Sequence, residues 1–390
     1  MIARGPQAFP RFEYLRRLNL VKEEMLKRDV AALVITDQHN ITYLTGYTAR
    51  SAYVPQGLVL LAGEEEPVFI LRRMDGPAAV HQCFMARDKV VPYAEELIAH
   101  PELDGYDAII DYLQAADVST TAIGLEQLNL SSATVNKFKA RLAEASFVDF
   151  TKAVAWIRLV KSDLEIEVMR EAGAIADAAI ARAAEVIRPG VREADACAEI
   201  ASALIRGANG KPGTQMEPIT LCASPRIGTC HITWAEDSFR VGSQVNLEVA
   251  GSRHGYSTAL MRTYSIGRPS ERLRTTHDAH LEGLEVALEA VRPGATCADV
   301  ANAFCRTIEK RGLSKESRCG YAQGIGWTEP TASLRDGDMT VLQPNMTFHL
   351  MLGNWLDEEF GYVISETFRV TPTGSETLTR APRKIFEIQE

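Results

Sequence analysis

A six-residue motif occurs twice in the second half of the chain and constrains the fold more than any other feature. Residues 185–190 are Glu-Val-Ile-Arg-Pro-Gly, residues 289–294 are Glu-Ala-Val-Arg-Pro-Gly, and Ala-Asp follows each copy after three intervening residues. Each copy follows a predicted helix and precedes a second helix and a strand-rich stretch. The offset of 104 residues (from 185 to 289) is too long for a solenoid repeat. The repeat therefore predicts a domain made of two duplicated halves.

The first part of the chain has a different pattern, in which short apolar runs alternate with helical segments. Residues 12–28 have apolar side chains at helical spacing, and residues 31–36, 57–61 and 67–71 are short branched runs bounded by Gly, Asp or Glu. This alternation predicts an α/β layer structure.

A capping box indicates where the second domain begins. Ser162 and Glu165 have the spacing in which each side chain bonds the backbone of the other, and an Ala-rich helix is predicted from there to about Ile187. We therefore predict an N-terminal domain of residues 1–155 and a C-terminal domain of residues 156–390.

Composition excludes several classes of function. The net charge is −9, which is unsuited to binding a phosphate backbone, so no nucleic-acid partner is expected. The chain has no signal-peptide pattern and no apolar run long enough to cross a membrane, so a soluble cytoplasmic protein is expected. Seven scattered cysteines form no CxxC pair, and phosphate-binding glycine loops and the GxSxG motif are absent. No cofactor is expected.

Three strand-like regions of the C-terminal half contain unusual polar residues: 228–234, 245–263, and a third group at 321–329, 348–351 and 364–367. A charged Glu in an apolar strand costs several kcal/mol unless it has a partner, a proton or a bound cation. Glu248, in Val-Asn-Leu-Glu-Val-Ala-Gly, is such a residue, with solvation at a strand edge as the alternative.

The order of these motifs resembles the pita-bread superfamily of methionine and Xaa-Pro aminopeptidases, prolidases and creatinases. The shared features are Arg-Pro-Gly after a long helix, a strand at 256–263, Gly-Ile-Gly at 324–326 and a closing strand at 366–371, with Asn-Ile-Thr-Tyr-Leu-Thr-Gly at 40–46 near the N-terminus. The resemblance implies a creatinase-type α/β N-terminal domain and a C-terminal pita-bread domain of two pseudo-symmetric αβ halves.

The peptidases of the superfamily hold two metal ions with two Asp, one His and two Glu. Here the corresponding positions are occupied by Glu248, Ala259, Gln323, Met351 and Ser365. A slip of one residue at the last position would bring in Glu366. Ala and Met do not ligate hard divalent ions, and Gln is a weak ligand. The resemblance therefore implies that no metal is bound.

Within the superfamily the chain resembles ectoine hydrolases more than creatinases, in residues 231–234, 247–251, 315–321, 341–344 and 346–350. This implies metal-independent cleavage of a C–N bond in a small zwitterionic cyclic amidine or guanidine, first of all ring opening of ectoine or hydroxyectoine. The creatinases have a catalytic-site Glu where this chain has Met261. Residues 327–331 also depart from the expected pattern, so the substrate stays open.

The resemblance and the chemistry of an amidinium assign roles to the candidate residues. Glu248 is expected to attack the electrophilic carbon or to activate a water, and His231, on a neighbouring strand, is expected to be the general acid/base. The aromatic residues expected to wall the pocket are Trp234, Tyr256 and Trp327. The polar residues expected to bind the substrate are Glu329, His349 and Glu366. His254, His277 and His280 are expected at the surface.

Two other functions remain open. One is a metal-dependent Xaa-Pro aminopeptidase or prolidase, and the other is a catalytically inactive pita-bread module that binds peptides or proteins. By analogy with the superfamily we expect a homodimer in which the N-terminal domain of one copy helps to close the pocket of the other.

Overall fold

The computed structural model describes residues 2–49, 51 and 53–389, and the chain divides into two units, Met1–Arg158 and Leu159–Glu390. The helices of the N-terminal unit are α1 (Arg11–Lys27), α2 (Gln38–Thr45), α3 (Gly76–Gln82), α4 (Gly105–Ala115), α5 (Ser132–Arg141) and α6 (Ala153–Ile157). Its strands are β1 (Ala32–Ile35), β2 (Gly57–Leu61), β3 (Val68–Arg72), β4 (Val90–Tyr93), β5 (Ala122–Leu125) and β6 (Ser146–Asp149).

The C-terminal unit has longer helices and two main sheets. Its helices are α7 (Asp163–Val186), α8 (Glu193–Arg206), α9 (Glu271–Ala290) and α10 (Cys297–Glu309). Its strands are β7 (Thr220–Ala223), β8 (Gln244–Arg253), β9 (Tyr256–Ile266), β10 (Gly320–Ala322), β11 (Ser333–Leu334), β12 (Thr347–Met351), β13 (Asn354–Asp357), β14 (Phe360–Tyr362), β15 (Ser365–Val370), β16 (Ser375–Thr377) and β17 (Phe386–Ile388).

The N-terminal unit is a mixed α/β layer structure, as predicted. Its six strands lie in the order β4-β3-β2-β1-β5-β6, and β1 is antiparallel to β2 but parallel to β5. All four residues of β1 are buried, which explains why this strand reads as a continuous apolar run rather than an alternating one. The predicted helix at 12–28 and the three predicted strands are confirmed as α1 and β1 to β3.

Each half of the C-terminal unit packs a helix pair on a sheet. Helices α7 and α8 share an apolar core with the β17-β9-β8-β7 sheet, in which Ile180, Ile200 and Leu247 are fully buried. Helices α9 and α10 share a second core with the β11-β10-β12-β15-β16 sheet, which includes Leu284 and Phe348. Each helix therefore buries its apolar stripe against its own sheet.

The sequence repeat corresponds to this duplication. Both Arg-Pro-Gly motifs form the turn between the two helices of a pair, and Gly190 (φ +81°) and Gly294 (φ +88°) adopt the left-handed conformation that glycine tolerates. The following helices begin at Glu193 and Cys297, which preserves the offset of the repeat. The prediction of two pseudo-symmetric halves is confirmed.

The helix predicted after the capping box is also confirmed. The Ser162 hydroxyl accepts a hydrogen bond from the Glu165 amide (3.3 Å), and Glu165 accepts one from the Ser162 amide (2.8 Å). Helix α7 ends at Val186, just before the first Arg-Pro-Gly turn. Among the described residues, none of the helices is long and apolar enough to cross a membrane.

Two predicted strand-like regions differ from the structure. Residues 228–234 form a loop, because the segment has a left-handed turn at His231 (φ +55°) and no continuous ladder with β7. Residues 245–263 form a hairpin of β8 and β9 rather than one strand, and His254 and Gly255 both have positive φ in its two-residue turn.

Two histidines expected at the surface are buried. The ring of His277 contacts the Tyr362 hydroxyl (2.7 Å), and His280 contacts the Thr276 carbonyl (2.8 Å). Both lie on the inner face of α9, so the expectation of surface positions was wrong. Helical context alone did not distinguish the two faces.

Candidate active site

A cavity of about 670 Å³ lies in the C-terminal unit, between the beginning of β7, the β8–β9 hairpin and the strands of the second sheet. It is lined by Glu217, Pro218, Thr220, Cys230, His231, Glu248, Met261, Ser317, Arg318, Tyr321, Trp327, Thr328, Met351 and Trp355. The wall is largely apolar, with a few polar and charged groups facing into it. Such a composition is typical of a small-molecule site.

Glu248 is the most deeply buried charged group of the cavity wall. It lies in β8 opposite Thr220 of β7 and Met261 of β9, and only 8% of it is exposed. No hydrogen bond or ion pair to its side chain is found among the described residues. Burial raises the pKa of Glu248 to about 8, which favours the protonated acid at neutral pH.

His231 lines the same cavity from the loop after β7 and is exposed to solvent. The structure therefore brings His231 and Glu248 together, although His231 lies in a loop and not on the neighbouring strand expected from the sequence. Cys230 also faces the cavity, where burial and then the charge of Glu248 raise the pKa of its thiol to about 11. The Cys230 thiolate is therefore disfavoured at neutral pH.

An aromatic network supports one wall of the cavity. The Trp327 indole N–H donates to the Tyr321 hydroxyl (2.7 Å), which also contacts His349 Nδ1 (3.1 Å). The other ring nitrogen of His349 contacts the Ser365 hydroxyl (2.8 Å). Burial lowers the pKa of His349 to about 3, so this ring stays neutral and holds Tyr321 in place.

Of the three aromatic residues expected to wall the pocket, Trp327 lines the cavity. Tyr256 is buried outside the cavity wall, where its hydroxyl donates to Glu165 at the beginning of α7 (2.8 Å). Trp234 is 43% exposed and also lies outside the wall. Trp234 belongs to the segment 228–234, which is a loop rather than the expected strand-like region.

Two acidic residues expected to bind substrate form ion pairs with basic side chains of the protein instead. Glu329 forms an ion pair with Lys161 (2.8 Å), and both side chains are almost fully buried. Glu366 forms ion pairs with Arg262 (2.7 Å) and Arg383 (3.1 Å). Neither Glu329 nor Glu366 lines the cavity, and His349 reaches it only through Tyr321.

The alternation of β15 explains the position of Glu366. Successive side chains of a strand point to opposite faces: Ser365 and Thr367 bond the β9 backbone at Met261 and Ala259, whereas Glu366 pairs with the side chains of Arg262 and Arg383. The Ser365 hydroxyl therefore lies beside the Met261 amide and the His349 ring. A one-residue slip would not bring the Glu366 carboxylate to the cavity.

The other positions that correspond to metal ligands are close together but have the wrong chemistry. Gln323 Oε1 accepts hydrogen bonds from the Ala259 amide (3.2 Å) and the Thr367 hydroxyl (2.7 Å), and the Ser365 hydroxyl accepts one from the Met261 amide (2.7 Å). Protein groups thus satisfy these oxygens. Among the described residues no group of three or more His, Cys, Asp or Glu is placed to hold a metal ion. The donor set does not fit a dinuclear metal centre.

Sequence reasoning missed two charged residues of the cavity. Glu217, just before β7, accepts a hydrogen bond from the Ser257 hydroxyl (2.7 Å). Arg318 lies in the segment 315–321, and its guanidinium stacks over the Tyr321 ring (4.4 Å). The resemblance had singled out that segment, but only the fold shows that Arg318 faces the cavity.

The two domains and the doubled C-terminal half define a pita-bread hydrolase fold, and comparison with known proteins agrees. Residues 167–372 match metallopeptidase family M24, and residues 17–160 match the creatinase/prolidase N-terminal domain. The chain therefore belongs to family M24 and is a hydrolase of that family.

Two relatives are similar over almost the whole chain. An uncharacterized hydrolase/peptidase of Sinorhizobium fredii is 61% identical over 388 residues, which cover 99% of this chain and 100% of the relative. The ectoine hydrolase of Halomonas elongata is 36% identical over 392 residues, which cover 97% and 98%.

Solved structures confirm the predicted fold. The dipeptidase PepE from Mycobacterium ulcerans has a TM-score of 0.82 at 24% identity, with 98% of this chain and 100% of that chain covered. The Xaa-Pro dipeptidase from Bacillus anthracis has a TM-score of 0.82 at 21% identity, with 97% and 100% covered. At these identities the similarity is one of fold.

Proposed function

We propose that this protein is a metal-independent hydrolase that opens a small zwitterionic cyclic amidine, with ectoine and hydroxyectoine as the first substrates to test. The observation that carries the proposal is Glu248, a buried carboxyl group without a cationic partner among the described residues, facing a largely apolar cavity. The similarity to an ectoine hydrolase supports the same assignment.

An amidinium is the ligand that suits such a carboxyl group. It is a planar delocalised cation whose N–H groups donate to both oxygens of a carboxylate. Binding of the cation offsets the burial that raises the pKa of Glu248 and therefore favours the carboxylate. A dipeptide brings no comparable cation to the carbonyl that is cleaved.

The chemistry then follows from the positions of two side chains. Glu248 either attacks the amidinium carbon or takes a proton from a water that attacks it. His231 donates a proton to the ring nitrogen that leaves as the C–N bond breaks. In the covalent route, water then attacks the carbon of the acyl imidate formed with Glu248, which releases the amide and regenerates the Glu248 carboxylate. Either route adds one water to the amidine and yields an amide and an amine.

Metal independence is part of this proposal. Met351 lines the cavity at a position where the resemblance to the peptidases puts a ligand carboxylate, and Gln323 and Ser365 bond to protein groups. A thioether is a soft, weak donor that does not replace a carboxylate for Mn²⁺ or Zn²⁺.

The test is turnover by protein that has been dialysed against a chelator and analysed for metals. Ectoine, hydroxyectoine, creatine and Xaa-Pro dipeptides are incubated with wild type, Glu248→Gln and Glu359→Gln, an exposed acidic control. We expect ring opening by wild type and the control, and a loss of at least about 10³-fold in Glu248→Gln. Turnover restored only by added metal, cleavage of dipeptides alone, or no turnover of any compound overturns the proposal.

A further inference from the structure

The segment between α10 and β10 is held by the hydrogen bonds of a half-buried lysine, Lys315. Lys315 donates to the Ser317 hydroxyl (2.8 Å) and to the Gly353 carbonyl. Burial lowers the pKa of Lys315 to about 8. These bonds join the segment to the loop before β13, so the residues that follow Lys315 have a defined direction toward the cavity.

Arg318 extends from this segment to the rim of the cavity. Its guanidinium lies 4.4 Å from the centre of the Tyr321 ring, and Nη1 donates to the Ser333 hydroxyl (3.1 Å). The stacking and the hydrogen bond orient the planar group. Among the described residues no carboxylate lies within ion-pair distance of Arg318, which is exposed to solvent.

Glu248 and Arg318 therefore bring opposite charges to one cavity. Tyr321 lies within electrostatic reach of both: burial raises the pKa of its hydroxyl, Glu248 raises it further, and Arg318 opposes the shift. Among the described residues that line the cavity, Arg318 is the one arginine or lysine, and Glu217 is a second acid beside Glu248. A ligand carboxylate that enters the cavity meets repulsion from two acids and attraction at the rim from Arg318.

We infer that Arg318 binds the carboxylate of the substrate and sets the specificity of the cavity for zwitterions. This inference rests on the proposed function, in which Glu248 binds the amidinium end of the same molecule. Arg318 is a substrate-binding residue that does not act on the reacting carbon. It selects cyclic amidines that have a carboxylate on the ring over amidines that are only cations, because a guanidinium pairs with a carboxylate through two parallel hydrogen bonds.

The test combines a change in the enzyme with a change in the substrate. Ectoine has a ring carboxylate, and 2-methyl-1,4,5,6-tetrahydropyrimidine is the same ring without it. Wild type, Arg318→Gln, Arg318→Lys and the exposed control Arg306→Gln are compared with both compounds. For ectoine we expect Arg318→Gln to raise KM about 10- to 100-fold with little change in kcat.

The same variant is expected to leave kcat/KM for the ring without a carboxylate unchanged. Arg318→Lys should recover part of the affinity for ectoine, and Arg306→Gln should behave as wild type. Equal effects of Arg318→Gln on both compounds, or no effect on ectoine, overturn the inference. Melting temperatures of the variants separate these results from a folding defect.

Failure of the proposed function gives a different result. If wild type hydrolyses neither compound, calorimetric binding of the same two compounds to wild type and Arg318→Gln decides the role of Arg318. Preferential binding of ectoine that Arg318→Gln abolishes supports the carboxylate site even without turnover. Equal binding of both compounds to wild type, or binding of neither, overturns it.

Discussion

At the scale of single residues, the burial of Glu248 makes its carboxylate costly for the fold, and the same burial suits its proposed role in binding a cationic substrate. A carboxyl group with few solvent contacts and no cationic partner is expensive to ionise, which raises the pKa of Glu248 to about 8. Met261, Met351 and two tryptophans contribute to the largely apolar cavity wall. A cationic ligand supplies the missing partner, so binding and ionisation are coupled.

This coupling predicts the pH dependence of the reaction. The free enzyme must lose a proton from Glu248 before the carboxylate can pair with an amidinium or act in catalysis. We expect kcat/KM for ectoine to fall about tenfold per pH unit below a midpoint near 8 and to level off above it. Initial rates from pH 6 to 9.5 measure this limb, and a profile that is flat across pH 7 to 9 contradicts it.

Unfolding measurements provide an independent check on the same group. The folded pKa of Glu248 lies above its ordinary value of 4.5, so the group's contribution to stability is complete below pH 4.5 and is lost as the pH rises through 8. Glu248→Gln removes this loss. The variant should be more stable than wild type by about 2–5 kcal/mol at pH 9, with a much smaller difference at pH 5. A difference that does not change with pH contradicts the raised pKa.

Glu366 illustrates the opposite case, in which a buried acid stabilises the fold. Because it compensates Arg262 and Arg383, Glu366→Gln leaves a buried guanidinium short of negative charge. We expect a loss of about 3–5 kcal/mol in the free energy of unfolding. The KM for ectoine should stay within about twofold, measured on folded protein below the melting temperature. A large rise in KM with little loss of stability would instead assign Glu366 to substrate binding.

At the scale of the elements, sequence patterns predicted the helices better than the loops around the site. The Ser162 capping box and the two Arg-Pro-Gly turns are local signals, because caps and turns depend on residues a few positions apart. Residues 228–234 have the branched composition of a strand, but pairing depends on distant backbone groups, and the segment turns at His231 instead. The sequence identified Glu248 as unusual without showing what surrounds it.

The side chains that the sequence missed or misplaced show the same limit. The motif comparison left Ser365 or the adjacent Glu366 for the last ligand position, and only the pleat of β15 shows that Ser365 bonds the Met261 amide while Glu366 pairs with Arg262. Arg318 reaches the cavity because β10 places its neighbour Tyr321 opposite His349 in β12. Local spacing contains no information about that register.

The close packing of α7 on β8 gives a prediction at this scale. A Cβ atom on Gly251 would lie 2.0 Å from the Ala172 carbonyl oxygen, so the helix and the strand would have to separate. We expect Gly251→Ala to lower the free energy of unfolding by at least about 3 kcal/mol, or to prevent folding. Gly63→Ala is the matched control, since nothing lies within 4 Å of its Cβ position. Denaturant titration of both variants measures the difference, and equal stability would contradict the packing.

At the scale of the whole molecule, the position of the charged groups bears on how the site excludes water. Every residue of the cavity wall belongs to the C-terminal unit, and His231 and Arg318 at the rim are exposed within it. Ion pairs with a substrate are weak while water surrounds them and strengthen when it is excluded. In the C-terminal unit by itself, ion pairs between a substrate and His231 or Arg318 would therefore be weakened by water.

A second copy of the chain that covers the cavity would exclude water from its rim. The superfamily resemblance predicts a homodimer in which the N-terminal domain of the neighbour covers the pocket. Light scattering should then give twice the monomer mass, and activity per chain should fall when the protein is diluted until it dissociates. An excess of inactive Glu248→Gln protein should restore this activity, because its N-terminal domain is intact and covers the wild-type cavity in a mixed dimer. A monomer with constant activity at every concentration, or dilution losses that the inactive variant does not reverse, would contradict closure by the neighbour.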